Sequence, residues 1–159
     1  AYPEELDRFL DNIYSKLDMK ISVKTRIGKT SPDEFHRLIE IYNKYPLEEL
    51  IVHPRLQTDF YKNKPNLQIF KEAVEMSRHS LCYNGDIYTV EDFQKFSEHF
   101  PTVEKIMCGR GAVANPSLFD AIANGKKLDI NTLKKFHDDI YMDYQEISSG
   151  ERNVLFKMN

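Results

Sequence analysis

Tryptophan is absent from these 159 residues, and cysteine occurs only twice, as Cys82 and Cys108. Two thiols, each within an apolar strand-like run, do not make a disulfide scaffold; they read as small buried hydrophobes. Neither sits at metal-ligand spacing, and the CxxC and HExxH patterns do not occur, so no metal site is expected. No apolar run approaches the ~20 residues that span a bilayer, and no signal peptide opens the chain. No membrane association is therefore expected, and a cytoplasmic location is the default. An excess of either sign of charge is also lacking. The net charge of −3 excludes a general pull toward nucleic acid or anionic lipid, although a local basic patch remains compatible with it.

What is present is the make-up of a globular protein, with 41% hydrophobic and 30% charged residues, in a chain long enough for a sizeable core. The chain starts at Ala1 and stops in the apolar-basic run Leu155-Phe156-Lys157-Met158-Asn159. With no stop signal there, it reads as a piece of something longer.

Leu6, Phe9, Leu10, Ile13 and Leu17 recur at spacings of three and four, which predicts an amphipathic helix over residues 3–17. Residues 21–26 alternate as a strand ended by Gly28. Ser31-Pro32-Asp33-Glu34 is a capping-box pattern with proline at the first helical position, so a helix with Phe35, Leu38, Ile39 and Tyr42 inward should follow. Residues 50–53 form a second strand, stopped by Pro54-Arg55. After a polar and aromatic loop (Gln57, Asp59, Phe60, Tyr61, Lys62), a helix over 66–79 turns Leu67, Phe70, Val74 and Ile69 inward. A third strand runs into Asn84-Gly85-Asp86, and Thr89 caps a helix over 90–99. The fourth strand is 105–108. Asn115-Pro116 starts a short helix ending at Gly125, and a last helix begins at Asn131 with a stripe of Leu133, Phe136, Ile140 and Tyr144.

Strand and helix alternate at intervals of about 25 to 30 residues, which specifies an α/β fold of parallel strands with helical crossovers. The glycine turns at consecutive strand ends suggest the phosphate clamp of a (β/α) barrel. On the first strand Ile21 and Val23 share one parity, while Ser22, Lys24 and Arg26 share the other. Two cations on the axis-facing parity at a carboxyl end point to a polar site at the barrel top. His53 and Arg55 repeat that logic on the second strand, with Pro54 aiming both. Asn84 can donate or accept, Gly85 opens the turn, and Asp86 either binds a ligand or caps the next helix. Gly109 and Gly111 offer backbone amides, and Arg110 offers planar donors suited to phosphate.

With these residues aligned, the sequence resembles the carboxyl-terminal half of a tRNA-dihydrouridine synthase. The resemblance rests on Val23-Lys24-Thr25-Arg26-Ile27-Gly28, Val52-His53-Pro54-Arg55, Asn84-Gly85-Asp86-Ile87, and Cys108-Gly109-Arg110-Gly111-Ala112 with Asn115-Pro116 and Phe119. It implies the second half of a TIM barrel over residues 1–125 and the truncated start of a helical tRNA-binding domain over 126–159. It also implies FMN as cofactor, NADPH as reductant, tRNA as partner, and reduction of uridine to 5,6-dihydrouridine. Carried over by motif, Lys24 would contact the flavin ring, where a cation stabilises the reduced form. His53 would lie near the ribityl chain or phosphate. Asn84, Gly85 and Asp86 would hold the ribityl-phosphate region, Gly109 and Arg110 would bind the phosphate, and Arg26 and Arg55 would face the RNA.

The family's catalytic cysteine belongs to the other half of the barrel, and Cys82 and Cys108 do not match its motif. No catalytic residue is therefore expected in this stretch, and the 159 residues alone are expected to be inactive and flavin-free. Half a barrel has open strand edges, so a homodimer through those edges, or terminal helices packed over the open side, is expected. Two other readings remain: a different FMN or phosphate-binding TIM-barrel enzyme, and a non-catalytic half-barrel that binds phosphate or RNA. Lys126, Lys127, Lys134 and Lys135 lie among Asp129, Asp138, Asp139 and Asp143, which makes a solvated mixed-charge face the better account of the tail.

Overall fold

The computed structural model describes residues 2–60, 62–126, 129–147 and 150–158; Tyr61 and Lys127 lie outside them. Two compact units divide the chain, Ala1–Asn115 and Pro116–Asn159, whereas the sequence reading put the boundary after Gly125.

The first unit follows the expected alternation. Its elements are α1 (Pro3–Tyr14), β1 (Ser22–Gly28), α2 (Glu34–Tyr42), β2 (Glu49–Leu56), α3 (Leu67–Met76), β3 (Leu81–Tyr83), α4 (Val90–His99), β4 (Lys105–Ile106) and α5 (Arg110–Ala114). The strands form one parallel sheet in the order β1-β2-β3-β4. Sequential parallel neighbours joined by helices are an arc of a (β/α) barrel. One parity faces the helices: Leu50 and Val52 of β2 are fully buried, as are Phe35 and Ile39 of α2, and the Tyr42 hydroxyl donates to Thr25 Oγ1 at 2.9 Å. Under β3, Tyr83 stacks on Phe96 at 4.1 Å and meets Phe70 edge-on at 4.9 Å. Phe100 closes that cluster against Phe70. The other parity aligns Lys24, Ile51, Cys82 and Lys105 in one row.

Several boundaries differ from expectation for identifiable reasons. β2 does not stop at Pro54. Arg26 pairs with His53 but Gly28 pairs with Leu56, so the ladder slips there. A proline, which has no N–H to donate, is accommodated at such a bulge in an interior strand. At α2 only half the capping box forms: Glu34 accepts from the Ser31 amide at 2.9 Å, while the Ser31 hydroxyl accepts from Asp33. Thr89 and Asp92 make the full reciprocal box at α4. Asn66 caps α3 through Ile69, but Leu67 is exposed and Ala73 takes an inward place instead. Cys82 is buried as expected, whereas Cys108 lies beyond the two-residue β4 and is only half-buried.

The second unit contains α6 (Leu118–Asn124), α7 (Ile130–Ile147) and α8 (Glu151–Met158). Asn115 ends α5 rather than starting α6, while Gly125 closes α6 in the left-handed conformation, with φ of 67°. Asp129 holds the start of α7 through Thr132. Lys126 pairs with Asp120 and Lys135 with Asp139, as a mixed-charge face requires. No helix among the described residues is long and apolar enough to cross a membrane.

Candidate functional site

The carboxyl ends of the four strands converge on a cleft of about 350 Å3. β1 brings Lys24 and Arg26 to it, β2 brings His53, the turn after β3 brings Asn84, Gly85 and Asp86, and the segment after β4 brings Gly109 and Arg110. Residues from four separate motifs thus share one small space. Arg55 is not among them: it is 2% exposed, behind the cleft wall.

Local structure accounts for each position. Asn84 extends the ladder past β3, its amide donating to the Val52 carbonyl at 2.9 Å. Its side chain donates to the Met107 carbonyl at 2.7 Å, joining the ends of β3 and β4. Gly85 is required by close packing and not by a left-handed backbone. A β-carbon there would lie 1.9 Å from the Tyr83 hydroxyl oxygen. At Gly109, by contrast, an added β-carbon would meet nothing within 4 Å.

Asp86 does not cap α4, since Thr89 does. Arg55 donates to Asp86 Oδ1 at 2.9 Å and, from its other terminal nitrogen, closely to Oδ2. Arg110 donates to the same Oδ1 at 2.8 Å, and its guanidinium lies 5.6 Å from the centre of the Tyr88 ring. The hydrogen bonds from Arg55 hold the Asp86 carboxyl below the usual range. Arg55 also donates to His53 Nε2 at 3.2 Å and to the Asn63 carbonyl. Burial, then Arg26, Lys24 and Arg55, push His53 down to about 4, so its imidazole is neutral near pH 7. Partial desolvation and Arg26 lower the Lys24 ammonium from its ordinary value. Arg26 donates to the carbonyls of Leu56 and Phe60, tying the loop after β2 to the cleft rim.

The outcome is a local excess of positive charge, with Lys24, Arg26, Arg55 and Arg110 around the single carboxylate of Asp86, in a chain of net charge −3. Such a cleft suits an anion and presents donors almost exclusively. Sequence reasoning missed Tyr88, Met107 and Cys108 as lining residues. For Tyr88 a signal existed, an aromatic two positions past the turn carboxylate. Burial raises both thiols, Cys82 to about 11, so both keep their protons at neutral pH and neither is a thiolate nucleophile. No group of metal-ligating side chains occurs among the described residues.

Comparison with known proteins gives a consistent result. The chain matches the family described as Dihydrouridine synthase (Dus) over residues 1–153. It is 29% identical over 110 residues to the tRNA-dihydrouridine(16) synthase of Pseudomonas syringae pv. tomato, covering 69% of this chain and 34% of the relative. It is 26% identical over 134 residues to the probable tRNA-dihydrouridine synthase 2 of Bacillus subtilis, covering 80% and 41%. Against tRNA-dihydrouridine synthase B of Vibrio parahaemolyticus it is 25% identical over 133 residues, again 80% and 41%. The chain therefore spans about a third to two fifths of the length of these curated relatives.

Proposed function

The chain belongs to the dihydrouridine synthase family, and on that premise we propose that its cleft is the phosphate-end half of an FMN site in an enzyme that reduces uridine in tRNA to 5,6-dihydrouridine, with NADPH as reductant. The observation that carries this reading is the meeting of Lys24, His53, Asn84, Gly109 and Arg110 at one cleft of net positive character. That donor set fits the dianionic phosphate and the hydroxyl-bearing chain of FMN, and the open space at Gly109 leaves room for close approach of a ligand.

In this reading Arg110 and the Gly109–Gly111 backbone bind the phosphate. Neutral His53 lies near the ribityl chain or phosphate. Lys24 sits nearest the ring end and stabilises negative charge there. When bound, FMN supplies the hydride for the uracil ring. Arg26, holding the loop after β2 at the rim, faces the RNA side. The proton for the uracil ring is assigned to a residue outside these 159, because neither Cys82 nor Cys108 matches the motif of the family's catalytic cysteine.

Two measurements test this. Deleting the gene should remove dihydrouridine from at least one tRNA position, read by mass spectrometry of tRNA digests; unchanged dihydrouridine throughout would overturn the reading. The 159-residue chain, given FMN, NADPH and unmodified tRNA, should form no dihydrouridine.

A further inference from the structure

We propose that Arg55 is the positioning residue of this site: it sets the proton of His53 on Nδ1 and fixes the carboxylate that holds Arg110 at the cleft mouth. The proposal deepens the FMN reading and rests on it for the identity of the ligand only.

Arg55 is the most buried charged group at the site, at 2% side-chain exposure, against 30% for Asp86 and 47% for Arg110. Exposure therefore increases from the interior to the mouth along a continuous chain of charged hydrogen bonds. Asp86 Oδ1 is shared, accepting from Arg55 at 2.9 Å and from Arg110 at 2.8 Å. Oδ2 is held by the second arm of Arg55. A planar guanidinium gripping both carboxylate oxygens fixes the carboxylate plane as well as its position. The half-exposed Arg110 is thereby given a fixed acceptor beside the place where phosphate would bind, and its planar group is oriented before the ligand arrives.

The second role follows from what a guanidinium lacks. It has donors and no acceptor, so its contact with His53 Nε2 at 3.2 Å makes that nitrogen the acceptor. The remaining proton of a neutral imidazole is then on Nδ1. The charged groups facing His53 are Lys24 and Arg26 from β1, Arg55 from β2 and Asp86 after β3. Three of these four are cations, and they favour the neutral ring whose tautomer Arg55 selects. The Nε of Arg55 also donates to the Asn63 carbonyl, which ties the loop after β2 to the same buried group. A lysine at this position would keep a charge but lose the fork.

The test compares the chain with Arg55→Lys and Asp86→Asn, using nitrogen-detected NMR of the histidine and arginine side chains. The parent should show His53 as the Nδ1–H tautomer and an ordered Arg110 Nε–H. Arg55→Lys should mix the tautomers and release Arg110. Asp86→Asn should release Arg110 yet leave the His53 tautomer in place, because Arg55 remains. In the full-length protein, FMN affinity should fall about tenfold in each variant, as for loss of one charge-assisted hydrogen bond, with riboflavin affinity changed far less. An Arg55→Lys protein with the parental tautomer and an ordered Arg110 would overturn the proposal. So would a parent whose His53 carries its proton on Nε2. Failure of FMN to bind the full-length parent would count against the cofactor reading alone, since the ligand-free spectra of the 159-residue chain still decide the role of Arg55. If Arg55→Lys does not fold, the parental tautomer and the Asp86→Asn spectra decide it.

Discussion

The hydroxyl oxygen of Tyr83 occupies the space beside Gly85, 1.9 Å from where a β-carbon would stand. Tyr83 is 3% exposed and its ring is stacked on Phe96 and met edge-on by Phe70, so moving it aside would break those ring contacts. The glycine of the Asn-Gly-Asp turn is thus demanded from behind, by the core.

Gly85→Ala should therefore destabilise the fold by about 2–3 kcal/mol, the cost of overpacking a tight core. Denaturant unfolding measures it; a variant as stable as the parent would show that the turn yields.

Gly109→Ala should behave in the opposite way. Its φ of −106° lies outside the left-handed region, and a β-carbon there meets no protein atom. Stability should stay within about 0.5 kcal/mol of the parent, while the FMN affinity of the full-length protein falls because the new methyl enters the ligand's space. Isothermal titration alongside an unfolding curve separates the two effects.

His53 gives the fold a pH dependence of defined sign. Burial and the cations around it pull its pKa in the folded chain down to about 4, from about 6.5 in an unfolded chain. The unfolded chain takes up a proton that the folded chain refuses, so stability falls as pH drops from about 6.5 to 4, by no more than about 3 kcal/mol. Asp86, kept ionised by Arg55, adds its loss only below that window. In His53→Gln, whose amide oxygen can accept from Arg55, the slope between these pH values should flatten.

Phe60 carries backbone strain at the cleft rim. Its φ is 51°, its side chain is 67% exposed, and its carbonyl accepts from Arg26. Phe60→Gly should remove the left-handed penalty while keeping that carbonyl contact, raising stability by up to about 1 kcal/mol. Thermal unfolding checks it, and a fall in the midpoint would mean that the phenyl ring contributes packing which its exposure hides.

Much of this protein was readable in one dimension. The alternation of Ile21 and Val23 against Ser22, Lys24 and Arg26, the Thr89–Asp92 cap and the helical stripe of α2 depend on neighbours a few residues apart, and each element formed near its expected place. So did the meeting of Lys24, His53, Asn84 and Arg110, because parallel strands all present their carboxyl ends on one side of the sheet. Pro54 misled in the other direction: it reads as a stop, and only a register slip against β1 lets β2 run through to Leu56.

The use of each charged group was decided by the tertiary structure. Arg55 and Arg110 are the same residue type beside similar turns, yet one is buried as a strut and the other stands at the mouth. The difference is made by Asp86, 31 residues from Arg55, whose carboxylate reaches Arg55 only once β2 and β3 lie side by side. Sequence periodicity states which face of a strand a side chain takes. It does not state which distant acceptor a guanidinium meets there, because that depends on the register between strands and on the space that packing leaves.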